Sequence, residues 1–196
     1  MRTVTFRLAA APVRLVAIVV SIACVAAVLV VGRAEGAGTA WNAYLAPDGA
    51  CQSASDATAP AVVQVRAVAC LVNWARVHDG RKQLVRRPRL MRAATLKGER
   101  VASCAQFSHT PCGSPLTSAV RTAGYHYSTF GENLYAGTWG AVTPRDVVAA
   151  WLASPPHRAN VLGSTFRDLG TAPVHAPGLF AGADAVVWTA TFGSRR

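Results

Sequence analysis

Arg2, Arg7 and Arg14 precede seventeen consecutive uncharged residues, Leu15 to Val31, and this basic-then-apolar order decides where the rest of the chain folds. The positive flank stays on the cytoplasmic side while the apolar run enters the membrane, so the remainder of the chain is expected outside the cytoplasm. Seventeen residues exceed the usual apolar core of a cleaved signal and sit at the short limit of a span, about 17 to 25 residues. Residues 1–36 therefore read either as a signal peptide cleaved near Ala34, with Gly32 and Ala34 as the small residues, or as a retained N-terminal membrane anchor. Cys24 lies inside the run, with apolar residues after it, and reads as a small apolar residue.

Beyond the membrane, cysteines take on another meaning. Cys51, Cys70, Cys104 and Cys112 are spaced by 19, 34 and 8 residues, and an oxidising compartment makes disulfides their ordinary state. Three pairings are open. Cys51 with Cys70 and Cys104 with Cys112 is preferred, because each bridge closes a short loop. A structural zinc site built from all four would show the paired Cys-x-x-Cys spacing that is missing here.

Residues 41–196 hold sixteen Arg or Lys against eight Asp or Glu, so the exported part is strongly basic. Six of those charges fall in "RKQLVRRPRLMR", residues 81–92. From Arg81 to Arg92 the run offers a surface for an anionic envelope polymer, lipid or protein, against the plainer reading of a solvated loop ahead of a helix. Nucleic acid is not expected as a partner of an exported chain.

Residues 37–59 are rich in Ala, Ser, Asp and Pro without periodicity and read as a linker. The domain proper is expected over 60–196. Pro60 suits a helix start, and Val63, Ala67, Cys70, Trp74 and Val77 recur at spacings of four and three up to Asp79-Gly80. A second helix is expected over 88–105, with Leu90, Ala94, Val101 and Cys104 on one face, and a short third over 115–123. Thr143, Pro144 and Asp146 mark the start of a fourth, which Pro155-Pro156 stops. Strand-like stretches follow at 169–175 and 184–193. Helices first and strands later give an α+β class with a mixed or antiparallel sheet.

The residues able to do chemistry are few. His109 lies in "FSHTPC", Glu132 in "FGENLYAGTW" and His157 in "SPPHRANVLG". Taken singly, each has a plain explanation: Glu132 as a turn carboxylate, His109 as a hydrogen-bonded structural residue beside a turn. Ser154 follows Trp151 by three residues and is expected on the same helix face, where a hydroxyl requires a partner or a cavity. Ser154 with His157 suggests a nucleophile and base, but no G-x-S-x-G elbow or oxyanion motif accompanies them. His78, His126 and His175 sit in no motif and read as surface or core residues.

Taken together these segments resemble a known family. "F-S-H" after a helix ending in Cys, then "G-E-N-L", then "W-x-x-S-x-x-H-R-x-N-V-L" with a Phe and a Gly beyond it, is similar to the bacterial branch of the CAP superfamily. That superfamily is named for cysteine-rich secretory proteins, antigen 5 and pathogenesis-related 1, and its domain is also called SCP. The likeness covers about residues 60–193. It implies an α-β-α sandwich with helices on both faces of the sheet, and a cavity tetrad of two histidines and two acids that in some members binds zinc or another divalent cation. His109, Glu132 and His157 fall on three of the tetrad positions, with Gly131 letting the chain turn closely. Ser154 stands where many members carry the second acid, which removes a charge that would favour a dication. The resemblance implies a binding module whose cavity takes a cation or small ligand, with His109 and His157 as metal ligands. A metal-dependent, peptidase-like hydrolase, with Glu132 as base toward a zinc-bound water, is the alternative.

Overall fold

The computed structural model describes residues 41–196; the basic and apolar N-terminal segment lies outside them. Among the described residues no helix is long and apolar enough to cross a membrane.

Helix α1, Ala61–His78, starts at Pro60 and stops where Asp79 and Gly80 leave helical geometry. Its buried face is Val65, Ala67, Val68, Ala69, Leu71, Val72, Ala75 and Arg76, which shares only Ala67 with the expected stripe. Val77 is exposed and Val63, Cys70 and Trp74 are only partly buried. The cause is that α1 is apolar almost all round, so spacing alone cannot choose a face. The Cys51–Cys70 disulfide then holds the Cys70 flank against the preceding segment. That segment differs from the expected linker: Ala46, Cys51 and Ala54 are buried in the same core as α1, and the backbone N–H of Arg145 donates to Ala54 O at 2.8 Å. Small residues that look like a spacer are those that let a turn-rich segment lie flat on a helix.

Helix α2, Pro88–Cys104, buries Leu90, Ala93, Ala94, Lys97, Gly98 and Val101, and ends at Ala105 in the left-handed conformation. A single 3-10 turn, Pro111–Gly113, follows, and then α3, Ser118–Thr122, shorter than expected. Helix α4, Pro144–Ala153, begins with the anticipated capping box: Asp146 N–H donates to Thr143 Oγ1 at 3.1 Å and Thr143 N–H to Asp146 Oδ2 at 2.9 Å. Pro155 and Pro156 do end α4, but they also open α5, Pro155–Val161, as its first residues, where their missing N–H groups cost nothing.

Four strands form one mixed sheet in the order β1-β3-β4-β2. They are β1, Val85–Arg86; β2, Tyr127–Thr138; β3, Asp168–Phe180; and β4, Ala183–Arg195. The β1–β3 pair is parallel; β3–β4 and β4–β2 are antiparallel. Strand alternation builds two cores. Val186, Trp188, Ala190 and Phe192 of β4 join the core of α1 and α4, while Ala185 and Val187 join Val101 of α2 on the opposite face. The result is the expected helix–sheet–helix layering.

Strand β2 has no counterpart in the sequence reading. It is one of the two edge strands, paired with β4 over its length, and it carries Glu132 in register with Thr191. Glu132 is therefore a strand residue and not part of a turn.

Candidate functional site

Because neighbouring strand residues face opposite ways, Glu132 and Asn133 look toward different layers. Glu132 pairs with Thr191, whose hydroxyl donates to Leu90 O at 3.0 Å, so this face looks at α2. There Glu132 Oε1 lies 2.8 Å from His109 Nδ1 and 3.3 Å from Lys97 Nζ. The Lys97 and Glu132 side chains are 2% and 1% exposed, that of His109 47%. Lys97 Nζ also donates to His109 O at 2.5 Å, so one ammonium holds both the carboxylate and the loop that presents the imidazole. Among the described residues Glu132 Oε2 is buried with no hydrogen-bond partner.

The His109 loop is closed at its base by the Cys104–Cys112 disulfide. Inside it, Cys112 N–H donates to Gln106 Oε1 at 2.7 Å. Both bridges are those the short-loop argument prefers. In the neutral imidazole that donates from Nδ1 to an ionised Glu132, Nε2 keeps its lone pair as an acceptor.

Asn133 looks the other way, to α5. Its Nδ2 donates to His157 O at 2.9 Å, and Asn160 Nδ2 donates to Asn133 Oδ1 at 2.8 Å and to Glu132 O at 3.2 Å. Gly131 serves this approach. A Cβ there would lie 2.8 Å from both Asn160 Oδ1 and Phe166 Cζ, and its φ is not in the left-handed range, so close packing and not a turn requires glycine. Asn133 and Asn160 thus lock α5 to the edge strand, and they set the position of His157.

The His157 imidazole is half-buried, and that burial, followed by the charge of nearby His109, holds it below its ordinary value of 6.5. The unfolded chain therefore takes up this proton first, and stability present above about pH 6.5 is lost as pH falls through and below it. Thermal melts between about pH 7.5 and pH 5 should show this decline, and His157→Gln should flatten it. An unchanged acid limb in the variant would assign the decline elsewhere.

Ser154 is half-buried, but it ends α4 in an extended conformation, so extrapolating the helix face from Trp151 does not place it. Among the described residues its side chain makes no cap hydrogen bond. His78, His126 and His175 are exposed.

A dication here would have His109 and His157 as its ligands, with Glu132 already engaged by Lys97. Among the described residues no three side chains of His, Cys, Asp and Glu converge to hold a metal ion. The one site carboxylate is already neutralised by Lys97. A second cation at Oε1 would meet that ammonium in a buried setting, where like charges repel strongly.

Lys97 is the site residue that sequence reasoning missed. It had a signal: Lys97 fills the vacant position between Ala94 and Val101 in the apolar stripe of α2, and a charge on a buried face is paired or functional.

The comparisons with known proteins agree with this architecture. The family model described as the cysteine-rich secretory protein family, CAP, matches residues 70–192. The Bacillus subtilis (strain 168) protein YkwD is 30% identical over 155 residues, 77% of this chain and 56% of that protein, so the chain spans little more than half of this relative. Among solved structures, an extracellular protein containing a SCP domain from Bacillus anthracis superposes with a TM-score of 0.57 at 19% identity, over 69% of this chain and 41% of that one. An outer surface protein from Borrelia burgdorferi gives 0.56 at 18% identity, over 66% and 90%. A sheet with helices on both faces, an edge strand bearing Gly-Glu-Asn-Leu and a family match over most of the domain lead to one conclusion: the chain belongs to the CAP, or cysteine-rich secretory protein, family.

Proposed function

We propose that this chain is an extracytoplasmic binding module, exported or anchored through its N-terminal segment, whose ligand docks on the outward edge of His109 beside His157. The observation that carries the reading is the contact of His109 Nδ1 with buried Glu132 Oε1 at 2.8 Å, on an imidazole that is otherwise half exposed. It fixes one ring edge inward and turns the other, a hydrogen-bond acceptor, to solvent. The ligand class that suits an oriented neutral acceptor is an uncharged, hydroxyl- or amide-rich one, such as an envelope glycan. Two disulfides and relatives described as extracellular or outer-surface proteins support the location.

The hydrolase alternative has no observation in its favour: Glu132 is engaged by Lys97 and His109 and is not placed as a base toward water. The test is calorimetry at about pH 7.5, a unit above the ordinary imidazole value, on the wild type and His109→Ala. Neutral envelope oligosaccharides are titrated in one arm and zinc in the other. Oligosaccharide binding lost in the variant, with zinc heats absent from both proteins, is the expected result. Zinc binding by the wild type that disappears in His109→Ala would overturn the metal-free reading. Equal oligosaccharide binding by both proteins would overturn the site.

A further inference from the structure

The basic run 81–92 does not form one surface. Arg81 pairs with Asp79 at 3.0 Å, Arg86 borders a groove along α1, and Arg92 is exposed on α2. Arg87 and Arg89 turn elsewhere, into a cleft of about 420 Å³ that they line with Tyr125, His126, Arg195 and Arg196. A second hollow of about 260 Å³, lined also by Arg121, shares Tyr125, His126 and Arg196 with it. Residues from the start of α2, the end of α3, the start of β2 and the end of β4 thus bring five arginines together, far apart in the sequence.

The carboxylate beneath them is Asp168, 1% exposed. Its Oδ1 accepts from Arg87 Nε at 2.9 Å, its Oδ2 from the Tyr125 hydroxyl at 2.8 Å, and Arg195 Nε lies 3.3 Å from Oδ2. Arg196 Nε donates to Tyr127 O at 2.9 Å. Three guanidiniums are therefore held by Nε, and among the described residues their terminal nitrogens make no hydrogen bond to the protein. A guanidinium fixed by Nε presents its other edge as a planar fork matched to two oxygens of a phosphate. One buried carboxylate against five guanidiniums leaves uncompensated positive charge whose mutual repulsion an anion relieves.

We propose that this cleft, built by Arg87, Arg89, Arg121, Arg195 and Arg196 over Asp168, binds a soluble polymer that carries repeated phosphate groups. The two neighbouring hollows, which share Tyr125, His126 and Arg196, offer room for consecutive phosphates, and the ligand is distinct from the uncharged one assigned to His109. The inference does not depend on that assignment.

The test uses the full chain and sodium tripolyphosphate as probe, with polyglutamate and soluble dihexanoyl phosphatidylglycerol as competing chemistries. Arg89→Gln/Arg196→Gln removes two of the five guanidiniums, one of them an Nε-held fork, without touching Asp168, and Arg92→Gln, outside the cleft, is the control. Tripolyphosphate binding should weaken about tenfold or more in the double variant, since each loss removes charge-assisted bonds. It should also fall with added salt and stay unchanged in Arg92→Gln. Absent tripolyphosphate binding, equal loss in the control, or equal affinity for polyglutamate would overturn the phosphate site. Binding of dihexanoyl phosphatidylglycerol without tripolyphosphate would overturn the soluble-polymer assignment in favour of a lipid headgroup.

Discussion

Replacing Lys97 by Met is expected to lower the unfolding free energy by about 3 kcal/mol, the low end of what removing one partner from a buried ion pair costs. The reason is what stays behind. Glu132 remains 1% exposed and, among the described residues, has Oε2 unpartnered and Oε1 left to His109 alone, and an uncompensated buried carboxylate is expensive. The loop is hit as well, because Lys97 Nζ no longer donates to His109 O. At this domain size the melting temperature should fall by roughly 6 to 12 °C. Glu132→Gln alone should also be damaging, since it strands the ammonium. The double variant Lys97→Met/Glu132→Gln should recover much of the loss, because neither residue then carries charge. Urea unfolding of the four proteins measures the coupling. Additive losses in the double variant would show that the two groups do not act as a pair.

Gly170→Ala should cost a similar amount, about 3 kcal/mol, for a wholly different reason. A Cβ at Gly170 would lie 2.0 Å from the carbonyl carbon of Leu90, 2.3 Å from its oxygen and 2.3 Å from Met91 N. These are backbone atoms of α2, so no rotamer change makes room, and the helix has to lift from β3. Thr191 Oγ1, which donates to Leu90 O at 3.0 Å and lies 3.3 Å from Gly170 O, would be pulled from one of them. Gly124→Ala is the useful comparison: among the described residues nothing lies within 4 Å of a Cβ there, but φ is +72°, so the cost is the backbone one of about 1 kcal/mol. Denaturant midpoints of both variants separate steric from conformational cost. Equal, small losses would mean that α2 and β3 are less tightly joined than these distances state.

What could be read from the sequence was whatever rests on neighbours along the chain. The cap at Thr143 and Asp146, the helix end before Asp79-Gly80 and the two short cysteine loops are local, and each is found as expected. What escaped depends on partners far away. The true face of α1 is chosen by the sheet and by residues 41–59, because its own apolar surface favours no side. Strand β2 was hidden by Gly131, Asn133 and Gly137, residues poor in strand preference that are tolerated because α5 and neighbouring side chains press against them. Histidine and glutamate positions followed from family motifs. Lys97 belonged to none, and only the assembled layers show that its ammonium occupies the centre of the site.

The bridge between Cys104 and Cys112 has a further meaning for when the site comes into being. The helices and sheet are joined by packing that needs no oxidant. The loop bearing His109 is closed by a bond that thiols form only in oxidising surroundings. Without that bond the loop is held by the Lys97 and Glu132 contacts and by Cys112 N–H on Gln106. On the function proposed above, the binding edge would be completed only after passage through the membrane, so that the molecule would become competent where its ligand is and not where it is made.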